Sequence, residues 1–172
     1  MTKTRKTNPK PKFWPPKYYA GLTRKQKEQR YREIQQHKTK YHWSNSRAYT
    51  PFKSDKYAKT KKRSQYTEQW EKLFPDAKSI KERSQATGVP ESYLKKVYDR
   101  ASAAWLTGHR PGQTTQSWAY PRISSFLLCG KTHYTADSDL VREARTKSAK
   151  ARKWFKRCPE KGPTKTQKKS RT

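Results

Sequence analysis

Apolar side chains recur with a helical period in only part of this chain. From Thr67, Trp70, Leu73 and Phe74 fall at helical spacing, and Pro75 then closes the segment, since proline disfavours helix in the residue before it. Asp76 stands where it can cap a second helix running to about Thr87, and Gly88 is placed to end that helix in the left-handed conformation. Pro90 occupies a position where a first-turn proline is tolerated. Tyr93, Leu94, Val97, Tyr98, Ala101, Ala104 and Trp105 then form one apolar stripe, the clearest helix in the sequence.

Further along, Thr107 to Thr115 reads as a turn-rich loop. Its glycines and Arg110 suit either a close approach to phosphate or a structured joint between helices. Another helical segment holds Trp118, Ile123, Phe126 and Leu127, with Pro121 as a start or a kink and Gly130 as its end. Asp137 or Ser138 is expected to cap a last helix from Leu140 to about Phe155, basic on nearly every face and anchored by Trp154 and Phe155. Beyond Pro159 the tail carries too little apolar surface to fold alone.

The predicted fold class is mainly α: a small helical central domain flanked by extended basic arms. Within the centre, Ile80, Ser84, Gly88, Val89, Leu94 and Val97 have the spacing of a helix-turn-helix-like hairpin, two short helices crossing at a tight turn. As a DNA reader this hairpin would turn Glu91, Ser92, Lys95 and Lys96 toward the groove, although a leading glutamate sits poorly beside phosphates. The same spacing serves a plain packing motif.

Charge sharpens the division. Lysine and arginine number 43 against 13 acidic residues in 172, a formal net charge of +30, and such self-repulsion opposes compaction unless an outside anion offsets it. Residues 1–66 hold 20 basic and 3 acidic side chains, and residues 141–172 hold 13 and 2. Residues 67–140 hold 10 and 8, so the near-neutral stretch coincides with the best apolar patterning. The expected organisation is therefore an N-terminal arm over 1–66, a helical core over 67–140, and a basic helix with its tail over 141–172.

The N-terminal arm interleaves its cations with aromatics. Phe13, Trp14, Tyr18, Tyr19 and Trp43 are candidates for docking on protein, with base stacking and packing on the chain's own centre as the alternatives. Lys10 to Lys17 is proline-rich and favours an extended strap. One helix is expected over 23–38, opened by a capping box of Thr23 and Gln26; with Tyr31 and Ile34 as its main apolar residues, it reads as solvated or anion-facing. Candidate phosphate contacts are Lys59, Lys61, Lys62, Arg63, Lys95, Lys96, Arg110, Lys147, Lys150, Arg152, Lys153, Lys156 and Arg157. The run from Lys59 to Arg63 serves equally as a nuclear address.

Other classes find little support. The longest apolar run is Phe126 to Cys129, so membrane insertion is not expected, and Met1 to Pro16 does not resemble a signal peptide. Two cysteines, Cys129 and Cys158, make no dense disulfide framework, and an intracellular, reducing setting is expected. Cys129 and His133 have metal-like spacing with His109 nearby but lack a recognisable further ligand, so no metal and no cofactor is expected. The best catalytic cluster, Asp137, Asp139 and His133, leaves a metal-dependent nuclease as a remote reading, with helix capping the expected task of Asp137. No enzymatic activity or small-molecule substrate is expected.

The block Gly88-Val-Pro, Val97 through Trp118 with its Gly-His-Arg-Pro-Gly motif, Arg122 to Phe126, Gly130-Lys131 and Thr135 to Leu140 resembles an uncharacterised domain. That domain occurs in small proteins of large DNA viruses of algae and protists and of marine tailed phages. The resemblance spans roughly residues 76–142 and departs from the family's small residues at Ala119, Tyr120 and Pro121. It implies a viral setting and virion association, with synthesis in the host cytoplasm or nucleus, and no reaction. With the charge, it leads to the expectation of a minor capsid or capsid-lining protein whose partners are packaged DNA and viral capsid proteins. A helix-turn-helix regulator is the alternative.

Overall fold

The computed structural model describes residues 12–40, 51–57, 63–108 and 113–160. Among them lie eight α-helices and no strand: α1 (Arg24–Lys40), α2 (Gln65–Leu73), α3 (Ile80–Thr87), α4 (Glu91–Gly108), α5 (Thr115–Leu127), α6 (Lys131–Tyr134), α7 (Ser138–Lys147) and α8 (Ala149–Phe155). The mainly α fold class is thus observed. The chain divides into two compact units, one of residues 1–61 with 108–114, the other of residues 62–107 with 115–172.

The first unit is built around α1. The Thr23 amide donates to Gln26 Oε1 at 2.9 Å and the Gln26 amide to Thr23 Oγ1 at 3.4 Å, which is the reciprocal capping box its spacing requires. The helix is not simply solvated, however. Arg30 is 1% exposed, paired with Asp55 and stacked 5.0 Å over Phe52, while Glu33 accepts hydrogen bonds from the amide and hydroxyl of Ser54. These contacts fasten the short turn Lys53–Tyr57 to one side of α1. Tyr19 and Leu22 are buried, and Phe13 lies 5.4 Å from the Tyr19 ring and 6.3 Å from Tyr31. Polar burial by Arg30 does what the thin apolar content of the helix leaves undone, and no apolar-periodicity rule registers it.

The second unit holds the main core, in which Trp70, Val89, Leu94, Val97, Ile123, Phe126, Leu127 and Phe155 are fully buried. Ser64 caps α2 by accepting from the Tyr66 amide. Trp70 satisfies its indole N–H by donating to Ala77 O at 2.8 Å, so a polar atom enters the core at no net loss of hydrogen bonding. Asp76 does not cap α3: the helix starts four residues later, where Ser79 and Glu82 form a capping box. Ser79 and Glu82 satisfy two orphan amides between them, whereas Asp76 would satisfy one at most.

The corner after α3 follows expectation in its backbone. Gly88 closes the helix at φ 71°, and a Cβ there would lie 2.9 Å from Lys150 Cβ, so α8 also requires the glycine. Ser84 contributes a hydroxyl bond to Val89 O at 2.7 Å, and Thr87 Oγ1 accepts from the Val89 amide at 3.2 Å. The turn is tied by side-chain oxygens as well as by its glycine. Of the α4 stripe, Tyr93, Leu94, Val97, Ala101 and Trp105 are buried, and Tyr98 and Ala104 half-buried.

Pro121 lies inside α5, six residues past its first, so it is not the start of the helix. At the helix end it is Cys129 that takes the left-handed conformation, with φ 57°, while the Gly130 amide reaches Ser125 O at 2.7 Å. Gly130 is needed for space, since a Cβ would lie 2.5 Å from Tyr66 Cε1 and from Ser125 Oγ. Two cysteines make no dense framework, but they do make one bridge: Cys129 and Cys158 form a disulfide across 29 residues and link the end of α5 to the segment after α8.

The single last helix expected over Leu140 to Phe155 is two helices. The break falls at Ser148, whose extended backbone ends α7 and whose hydroxyl caps α8 by accepting from the Ala151 amide at 3.2 Å. Both helices are more deeply anchored than Trp154 and Phe155 alone would allow, through Leu140, Val141, Ala144 and Ala151. The break lets both short helices turn their alanines and apolar residues inward. A straight helix over the same residues would carry some of them to solvent.

Candidate nucleic-acid interface

Some cations of the second unit are committed to the fold, while others are exposed, one set of them on α4, α7 and α8. Arg83, Arg100 and Arg122 are committed to the fold. Arg83 is 4% exposed, lies 4.7 Å over the Trp70 ring and 4.9 Å over Tyr120, and donates to Ser124 Oγ at 2.8 Å. Burial pushes its guanidinium down to about 10, which still leaves it cationic at neutral pH.

Arg122 and Arg100 converge on Asp137, whose side chain is fully buried. Arg122 donates two bonds to it, at 2.9 and 2.7 Å, and Arg100 reaches it at 3.5 Å. Arg100 also grips Asp139 through both of its terminal nitrogens and holds that carboxyl well below the usual carboxylate range. Asp137 therefore does not cap α7, although it occupies the position preceding it: its side chain makes no bond to the helix amides. Two arginines 22 residues apart meet one carboxylate, and no local spacing announces that.

The side chains of the remote nuclease reading, Asp137, Asp139 and His133, are thus engaged with other groups. His133 is buried with Nδ1 3.0 Å from Phe126 O, and burial lowers its pKa from the ordinary value. Cys129 is in the disulfide, and His109 lies outside the described residues. Among the described residues no group of three His, Cys, Asp or Glu side chains is placed to hold a metal ion. No helix among them is long and apolar enough to cross a membrane.

The second group of cations lines the outside of α4, α7 and α8. On α8, Lys150, Lys153 and the following Lys156 keep three-residue spacing and are exposed, opposite the buried Ala151 and Phe155. Arg142, Arg145 and Lys147 are exposed on α7; the two arginines were not picked out by sequence, where they show no basic run and become conspicuous only once Leu140, Val141 and Ala144 face inward. Lys96 approaches Glu143 at 3.6 Å, which sets the outer face of α4 beside that of α7. Lys147 pairs with the same Glu143 at 2.7 Å and Lys95 with Glu91 at 3.4 Å, so these three are partly neutralised within the chain.

Other candidates divide sharply. Arg152 donates to Arg145 O at 2.9 Å and to Thr146 O at 3.2 Å, closing the end of α7. Arg157 donates to Leu127 O at 3.0 Å and stacks 3.3 Å from the centroid of Trp154, and burial lowers its pKa. Both are held by backbone carbonyls. Arg63 is exposed and paired with Glu71. Lys59, Lys61, Lys62 and Arg110 lie outside the described residues, as does Trp43. Of the aromatic candidates for docking, Tyr19 and Phe13 pack within the first unit, Tyr18 is half-buried, and Trp14 stands 50% exposed.

Among the described residues the fold is all-helical, with a buried apolar core in the second unit and exposed cations on its helices. The chain belongs to the family of unknown function DUF5824, whose model matches residues 15–145. The match takes in α1 through most of α7, so the family extends to both units. No curated protein and no solved structure matches the chain.

Proposed function

We propose that this chain is a non-enzymatic virion structural protein, a basic minor capsid or capsid-lining component that neutralises packaged DNA without reading its sequence. The observation that carries the nucleic-acid reading is the net charge of +30, with Arg142, Arg145, Lys150 and Lys153 exposed on α7 and α8 and Lys156 exposed just after them. Each cation that settles on a phosphate releases a condensed counterion, an affinity that ignores base identity and falls steeply with salt. The viral setting rests on the resemblance of residues 76–142. Docking on capsid proteins is assigned to the proline-flanked strap around Trp14.

The regulator reading draws less support, because Lys95 and Lys96 at the head of α4 already face Glu91 and Glu143. The test is binding of the full chain to unrelated DNA duplexes across a salt series. Similar affinities with a steep slope are expected, and replacing Arg142, Arg145, Lys150 and Lys153 by alanine is expected to reduce the slope by up to about 3.6, at roughly 0.9 for each phosphate no longer neutralised. A preference of several kcal/mol for one duplex that persists at high salt would overturn this reading in favour of a sequence-specific one.

A further inference from the structure

Two large apolar side chains stand exposed among the described residues, Trp14 at 50% and Leu73 at 59%. Leu73 ends α2 and forms one wall of an open groove of about 360 Å³, with Phe74, Pro75, Ala77 and Ala86 as its other apolar walls and Asp76 and Glu82 as its charged lining. No lysine or arginine lines it, which is unusual on a chain with 43 of them. Trp14 lies in the opposite setting. Residues 10–17 contain three lysines, three prolines and no acid, and the indole sits between Phe13 and Pro15; the extended backbone expected here is interrupted, since Pro16–Tyr18 forms a turn of 3-10 helix.

The geometry points to a head-to-tail contact between copies of this chain, in which the Trp14 strap of one copy enters the Leu73 groove of the next. The groove falls in the size range of sites that enclose a compact apolar group, and an indole with its polar N–H toward the rim suits it. Lys17 complements Asp76, while Lys12, already paired with Glu28 at 2.9 Å, and Glu82, which caps α3, add a weaker attraction of the same sign. Proline-restrained backbone loses little freedom when it docks. Because strap and groove are different surfaces, a copy that gives its strap to one neighbour still has its groove to offer to another, so the contact can propagate from copy to copy. This inference goes beyond nucleic-acid binding and rests on the strap assignment above, to which it gives a particular partner; nucleic acid takes no part in its test.

The test is sedimentation of the full, nuclease-treated chain over a concentration series at moderate salt, where the mutual repulsion of the copies is damped. The wild type is expected to grow in average mass with concentration. Trp14→Ala and Leu73→Asp, both at exposed positions, are each expected to stay at the 20.4 kDa monomer with unchanged helicity. Mixed together they are expected to form a species of twice that mass and no larger, since one retains the groove and the other the strap. Asp76→Lys is expected to weaken association at least tenfold while leaving the groove walls in place. A wild type that remains monomeric throughout overturns the proposal, as does association that survives both single substitutions or a mixture of the two that stays monomeric.

Discussion

Replacing Asp137 by serine separates two tasks that one residue position suggests. A residue just before α7 is expected to cap it, and serine caps about as well as aspartate, so on that view the change costs a few tenths of a kcal/mol. In the structure the carboxylate is fully buried and takes two bonds from Arg122, itself only 16% exposed, with Arg100 at 3.5 Å. Serine leaves a guanidinium buried without its counter-charge, a loss of about 3–5 kcal/mol. Against a total stability of about 5–15 kcal/mol for a domain of this size, that is a large fraction. The assay is urea unfolding of the full chain followed by helical circular dichroism, with Asp137→Ser and Asp137→Ala side by side. Both are expected to lose about 3–5 kcal/mol, and Asp139→Asn, at a half-exposed site, no more than about 1 kcal/mol. A serine variant within about 0.5 kcal/mol of wild type, with the alanine variant clearly weaker, would show that capping is the real role and refute the ion-pair argument.

Core and surface tryptophans separate as well. Trp105 is fully buried and Trp118 only half-buried, so Trp105→Ala is expected to cost about 3–5 kcal/mol and Trp118→Ala appreciably less, measured by the same unfolding assay. Equal losses would show that Trp118 is held by packing its exposure does not reveal. A pH effect follows from His133, whose folded pKa lies below the ordinary value of 6.5 mainly through burial. The unfolded chain then binds the extra proton first, so stability present at pH 7.5 declines as the pH falls through about 6.5. Asp139, Glu82 and Glu143 also have lowered values, but their contributions are lost only as the pH falls through the ordinary carboxylate values of 3.8 and 4.5, below the range of that decline. His133→Gln is expected to flatten the decline between about pH 7.5 and 5.5; a parallel decline in that variant would assign it to another group.

Local signals carried far in this sequence. The capping box at Thr23 and Gln26, the end of α2 before Pro75, the left-handed Gly88 and the apolar stripe of α4 each depend on residues within a few positions of one another, and each appears in the structure. The charge balance of the chain, and the coincidence of near neutrality with apolar patterning, are likewise properties of sequence alone. What tertiary structure decided is which polar groups were spent inside. Asp137, Arg122 and Arg100, Arg83 between Trp70 and Tyr120, Arg30 with Asp55, and the pairing of Cys129 with Cys158 all join positions far apart in the chain. A buried charge is tolerable only where its partner arrives, and that partner is fixed by packing and not by spacing. The same reason separates the free cations from the committed ones: Lys150 and Arg152 are two residues apart in one basic helix, yet only the arginine meets the carbonyls left open at the end of α7.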